Sequence, residues 1–149
     1  MRSRRGLEIR SATGADAPGL AALLAEAGQA IDPRALAERR EALRQGPGTA
    51  LVAQGWGPPS GVVALHWYRT LDAARPAARV TTLLVGPGER RRGIGRLLVE
   101  AAAQAARSAG CGVLELSAAP AGPGPDAFRR ALGFAEAGPR FVRPLRKAR

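Results

Sequence analysis

One twenty-residue stretch constrains this fold more than any other: LLVGPGERRRGIGRLLVEAA, Leu83 to Ala102. An aliphatic run breaks at Gly86-Pro87-Gly88, a block of arginines follows, and Gly93-Ile94-Gly95 opens an alanine-rich pattern. The aliphatic run, taken from Arg79 to Val85, reads as a buried strand closed by Gly-Pro. From Gly95 to Ala109, Leu97, Leu98, Ala101, Ala102, Ala105, Ala106 and Ala109 form one apolar stripe. Arg96, Glu100, Gln104 and Arg107 lie opposite it, the signature of an amphipathic helix. Gly112–Ser117 reads as the next strand. Strand, helix and strand in that order make a right-handed parallel crossover. Ligands of such units favour the crevice beyond the carboxyl ends of the strands, and the arginine-glycine loop falls there.

The rest of the chain surrounds this unit with other elements. Leu7–Arg10 alternates as a short strand. Asp16 is placed to cap a helix through about Ala27, with Leu20, Leu23, Leu24 and Ala27 on one face and Gly28 as the stop. Asp32-Pro33 starts a second helix, running to about Gln45 and ended by Gly46-Pro47-Gly48. Thr49–Gln54 and Val62–Arg69 form a hairpin around the Gly55–Gly61 turn. Leu71–Ala78 is expected as a loop and Pro120–Pro125 as irregular chain. Asp126 is expected to cap a short helix to Leu132, with a last strand from Phe134. The fold class is α/β in the α+β sense. A central, mostly antiparallel mixed sheet carries one parallel strand–helix–strand unit, with helices on both faces.

At 149 residues the chain suits a single domain with a real core. No run approaches the ~20 apolar residues of a membrane span. The basic start MRSRRGLEIR lacks a signal-peptide core, so a cytoplasmic protein and no membrane partner are expected. The single Cys111 excludes an internal disulfide, and with one histidine no metal centre is expected. Net charge is +11, which favours anionic partners. Only one of the 23 basic residues is lysine, so coding bias accounts for part of that excess.

The loop's chemistry follows from helix geometry. The first amides of a helix have no partner inside it, and the dipole places partial positive charge there. Gly93 and Gly95 remove side chains that would screen those amides, and Arg90, Arg91, Arg92 and Arg96 add formal charge. The result is a pyrophosphate cradle. No Gly-Lys-Ser/Thr is present, which excludes a nucleotide-hydrolysing P-loop. A dinucleotide fingerprint is also a poor match, because Leu98 stands where its third glycine belongs.

Val85, Pro87, Arg90, Gly93-Ile94-Gly95 and Leu97-Leu98 resemble the acyl-CoA signature of the GNAT superfamily of N-acetyltransferases. Arg90, Gly93 and Gly95 match its Q/R-x-x-G-x-G/A core. IRSATGADAPGLAALLAEAG resembles the family's first strand and helix, and ALGF (Ala131 to Phe134) its C-terminal ending. The resemblance covers about residues 7 to 143. It implies acetyl-CoA as co-substrate, with pyrophosphate on the amides from Arg91 to Arg96. The pantetheine arm would run along the backbone of Leu83, Leu84 and Val85, where the strand splays from its neighbour at Val113–Ser117. It further implies Phe128 and Arg129 beside the cofactor, an amine acceptor as partner, and a homodimer, which is common in the family.

Two departures bear on catalysis. Acyl transfer needs a neutral amine, and an alkylamine with a pKa near ~10 is mostly protonated at neutral pH, so a base helps. Many relatives use a carboxylate on the strand that here reads Arg79-Val80-Thr81-Thr82-Leu83, which has none. Arg129 also replaces the tyrosine that commonly protonates the departing thiolate; arginine cannot donate a proton at neutral pH. Three readings follow: water serves as acid, replacement groups act, or catalysis has decayed and a CoA-binding protein remains. Replacement candidates are His66, Tyr68, Glu115 and Ser117. Glu115, inside an apolar strand, must face the cleft or pair with an arginine, because an unpaired carboxylate there is costly. An active N-acetyltransferase working by direct transfer in a ternary complex is the favoured reading. A basic nucleic-acid-binding module is disfavoured, since aromatics are only 4% and do not interleave with the arginines.

Overall fold

The computed structural model describes residues 3–4, 6–89, 93–116, 129–137 and 140–146. Its sheet runs in the order β1 (Ser3–Arg4), β2 (Leu7–Ser11), β3 (Gly48–Gln54), β4 (Gly61–Tyr68), β5 (Ala77–Val85), β6 (Val113–Leu116). Neighbours are antiparallel except β5 and β6, which are parallel. The helices are α1 (Ala17–Glu26), α2 (Pro33–Gln45) and α3 (Ile94–Ser108). None among the described residues is long and apolar enough to cross a membrane.

Helices cover both faces of the sheet. On one face Ile94, Leu98, Val99, Ala102 and Ala106 of α3 pack on Ile9, Ala53, Val63, Leu65, Val80 and Leu83. On the other, Leu20 and Leu23 of α1 pack with Val52 and Val62, joined by Leu36 of α2 and Leu84. Leu65, Leu83, Ile94 and Leu98 are among the largest fully buried side chains. Each contributes roughly 1.5–3 kcal/mol by leaving water.

A bulge in β5 sets which residues reach which face. Ala64 pairs with Thr82 but Leu65 with Val80, so Thr81 is one residue too many. Strict alternation would send Val80 and Leu83 to opposite faces. The bulge restores them to the same face, and both are buried against α3. The opposite face then carries Arg79 below the bulge and Leu84 above it.

Several expectations are corrected. Ala77 and Ala78 belong to β5 rather than to the preceding loop, because they pair with Tyr68 and Trp67. Ser3–Arg4 forms an edge strand that the basic N-terminus did not announce. Asp16 ends a 3-10 turn (Gly14–Asp16) and makes no cap bond to α1. Its buried carboxylate accepts instead from Arg10 Nη1 and Nη2, both at 2.8 Å, and from Thr13 N at 2.7 Å. Ala27 is exposed rather than packed with Leu20 and Leu24. No strand follows Phe134 among the described residues 134–137 and 140–146. That tail is rich in arginine and proline and leaves Phe141, Val142 and Leu145 exposed. The Pro120–Pro125 stretch and the start at Asp126 lie outside the described residues. The C-terminal helix is described only as a turn over residues 129–131, closed by Gly133 at φ 88°.

Candidate active site

Two features flank the described end of the β5–β6 pairing. The first is the N-terminus of α3. Gly93 holds a left-handed conformation (φ 76°, ψ 14°) at the N-cap, and no side chain caps the helix. A residue with a Cβ is disfavoured in that conformation. Leu97 N donates to Gly93 O at 3.1 Å, so the amides of Ile94, Gly95 and Arg96 precede the first intrahelical bond. Ile94 is buried and pins the first turn to the sheet, whereas Arg96 points to solvent. Gly86 N donates to Ser60 O at 2.8 Å, tying the start of the loop to the β3–β4 turn. Arg90, Arg91 and Arg92 lie outside the described residues.

β5 runs beside this terminus. Leu83, Leu84 and Val85 pair with Val63, Val62 and Gly61 of β4. On its other side the pairing with β6 covers only Ala77↔Val113 to Val80↔Leu116. From Thr81 onward β5 therefore has a neighbouring strand on one side alone among the described residues. A cavity of about 1050 Å³ runs along α3, with Arg96, Glu100, Gln104, Leu132 and Phe134 among its lining residues. Arg129 starts the helical turn on this same side, and its carbonyl accepts from Phe134 N at 2.9 Å. Phe128 is outside the described residues.

The second feature is a polar cluster on the opposite face. His66 pairs with Arg79 across β4–β5, and Arg79 with Glu115 across β5–β6, so all three side chains share one face. Tyr68, two residues from His66, joins them. Tyr68 Oη donates to Glu115 Oε1 in a short hydrogen bond. Arg79 Nε donates to the same oxygen at 3.1 Å, and Nη2 donates to Tyr68 Oη at 3.3 Å. The guanidinium carbon stands 5.4 Å from the Tyr68 ring centroid, and the His66 and Tyr68 rings are 5.6 Å apart. His66 Nε2 is buried without a hydrogen-bond partner.

The electrostatics follow from these contacts. The hydrogen bond to Glu115 pushes the Tyr68 hydroxyl above its usual pKa, and burial and the Glu115 charge add to it. Arg79 opposes that rise more weakly, so Tyr68 keeps its proton at neutral pH. For Arg79, burial pulls the pKa down, but bonding to Glu115 and the charges of Tyr68 and Glu115 raise it on balance.

Of the four candidate catalytic residues, His66, Tyr68 and Glu115 thus come together, and Ser117 lies outside the described residues. Arg79 escaped sequence reasoning as a site residue. Its signal was indirect: it stands on the strand where a carboxylate was sought, and only the parallel register puts Glu115 beside it. Of the two alternatives for Glu115, the pairing one is present, with Arg79 as the arginine. Cys111 and Trp67 pack partly buried against the α3 core, while Trp56 in the hairpin turn is 99% exposed. Among the described residues no group of three or more His, Cys, Asp or Glu could hold a metal ion.

Comparison with known proteins agrees with this fold. An acetyltransferase from Trypanosoma brucei is 22% identical at a TM-score of 0.79, over 93% of this chain and 99% of its own. A protein from Agrobacterium tumefaciens strain C58 is 27% identical, also at 0.79, over 92% and 99%. AAC(6')-Iy, solved with the bisubstrate analog CoA-S-monomethyl-acetylneamine, is 20% identical at 0.76, over 95% and 99%. No curated protein sequence matches the chain. The acetyltransferase (GNAT) family pattern matches residues 19–134. With that match over most of its length, and the fold that goes with it, the chain belongs to the GNAT acetyltransferase family.

Proposed function

We propose that this protein is a single-domain N-acetyltransferase that moves an acetyl group from acetyl-CoA directly to a primary amine, with Glu115 as the base. One observation carries the assignment. Glu115 is a carboxylate held by Arg79 and Tyr68 one residue pair before the described β5–β6 pairing ends.

The residues present fit an acyl-CoA. The uncapped terminus of α3, open at Gly93 and Gly95, suits a pyrophosphate, and Arg96 with Arg90, Arg91 and Arg92 supplies charge. The backbone of Leu83, Leu84 and Val85 suits an extended pantetheine arm on the side where no strand among the described residues is paired. That AAC(6')-Iy accepts a bisubstrate analog containing CoA supports the same kind of site here. Bound acetyl-CoA supplies an acyl group on a thiol whose ordinary pKa near ~8.5 makes it a competent leaving group.

The chain's own residues then divide the work. Glu115 Oε2, which carries no bond in the cluster, accepts the proton of the incoming amine. Arg79 and Tyr68 hold Oε1 and so fix the direction of Oε2. Tyr68, still protonated at neutral pH, is the nearest phenol from which a departing thiolate can draw a proton; water is the other source. Arg129, at the place of the family's tyrosine, does not donate.

The test is acetyl transfer from acetyl-CoA to a panel of primary amines, with calorimetric binding of acetyl-CoA in parallel. Glu115→Gln is expected to lower kcat/KM by about 10²–10⁴-fold while leaving acetyl-CoA affinity unchanged. Wild-type rates in that variant would remove Glu115 from the chemistry. Saturable acetyl-CoA binding without transfer to any amine would favour a silent CoA-binding protein instead.

A further inference from the structure

The polar cluster has unused bonding capacity of both signs. Arg79 donates through Nε and Nη2, which leaves Nη1 without a partner among the described residues. Glu115 accepts both of these bonds at Oε1, which leaves Oε2 without a partner among the described residues. Neither side chain is sealed off: Arg79 is 37% exposed and Glu115 41%. Their charges cancel, so an acceptor bearing only an ammonium would meet the carboxylate and the guanidinium together. An acceptor bearing both an ammonium and a carboxylate would satisfy each.

The geometry points to an acceptor subsite for an α-amino carboxylate, in which Arg79 Nη1 binds the acceptor's carboxylate and Glu115 Oε2 its amine. This rests on the acetyl-transfer reading and adds the substrate class to it. Guanidinium recognises carboxylate through planar paired donors, a contact stronger than a neutral hydrogen bond and dependent on the carboxylate's full charge. The same arginine positions Glu115 and selects the substrate, so one side chain sets both the base and the acceptor. A polycationic amine would meet an arginine whose charge it cannot match.

The experiment pairs each of the twenty standard α-amino acids with its primary carboxamide, which keeps the amine and removes the negative charge. Binding to the full chain saturated with CoA is measured by calorimetry, and acetyl transfer from acetyl-CoA is measured separately. At least one amino acid is expected to bind about ten-fold or more tighter than its amide, with KM following the same ratio. Arg79→Gln is expected to bring that ratio to about one, and Arg79→Lys to restore part of it. Equal binding of acid and amide by the wild-type protein overturns the subsite, as does acetylation of alkylamines with no amino acid bound. The wild-type comparison needs no variant, so it decides the matter even if Arg79→Gln fails to fold. Preferential binding of the acid without any acetyl transfer would retain the subsite and overturn the transferase reading.

Discussion

Replacing Gly61 with alanine probes the joint between the sheet and α3. A Cβ at this position would meet the Leu84 carbonyl oxygen at 2.9 Å, Leu98 Cδ1 at 3.0 Å and Ile94 Cγ2 at 3.3 Å. The Leu84 carbonyl is backbone in the β4–β5 ladder and cannot yield. The first turn of α3, which carries Ile94 and Leu98, must therefore move outward by a few tenths of an ångström. Overpacking of this kind costs about 1–3 kcal/mol. Alanine recovers roughly 0.5–1 kcal/mol of backbone entropy relative to glycine, leaving a net loss of roughly 0.5–2 kcal/mol. At roughly 2–4 °C per kcal/mol for a domain near this size, the melting temperature should fall by about 1–8 °C. Because the displaced turn bears the open amides, acetyl-CoA affinity should fall by at least a few-fold in the same variant. Gly55→Ala is the control, since a Cβ there meets only the Gly6 carbonyl, at an ordinary 3.6 Å. Urea and thermal unfolding with calorimetric acetyl-CoA titration read both effects. If Gly61→Ala melts and binds as the parent does, or Gly55→Ala loses as much, the close approach of α3 to β4 does not position the cradle.

Asp16→Asn should cost about 1.5–3 kcal/mol, because the buried carboxylate accepts paired charged bonds from Arg10. The Arg10 hydrogen bond holds the Asp16 carboxyl below its ordinary range despite burial, so its stabilisation is complete above the unfolded carboxylate pKa. In urea titrations the gap between parent and variant should stay constant from pH 7 to about 5, then close as acid protonates the folded carboxyl. Burial pushes the Cys111 thiol up, so iodoacetamide should alkylate it more slowly than a free cysteine peptide at the same pH. Equal rates would refute the shift. Asp32→Ala removes the bond from Ala35 N at 3.3 Å and should cost about 0.5–1 kcal/mol in chemical denaturation.

What was legible in the sequence depended on how local its cause is. α3 and its apolar stripe were readable because fifteen residues repeat one period, and Leu98, Ala102 and Ala106 are buried accordingly. Asp32-Pro33 was readable because capping acts within four residues. Asp16 looked like the same signal, but a partner from β2 claimed its carboxylate, and Arg10 carries no local mark of that. The polar cluster was half legible. His66 and Tyr68 share a face by alternation within one strand. The meeting of Glu115 with Arg79 depends on the register between two strands separated by a whole helix, which no local pattern encodes. The bulge at Thr81 was equally hidden, since Thr81-Thr82 reads as ordinary strand.

That single supernumerary residue makes the response of β5 to a change in length one-sided, in a way that substitutions do not reveal. Deleting Thr81 would leave Val80 opposite Leu65 and Thr82 opposite Ala64 in a regular ladder, with Leu83 and Val85 still against α3, whereas a further residue inserted beside it without a second bulge would exchange them with Thr82 and Leu84. The half carrying Arg79 would keep its orientation. The strand thus behaves as two segments joined by a hinge of parity, one carrying Arg79 and the other Leu83 to Val85. Each can drift in sequence without disturbing the other, provided the spacing between them never grows.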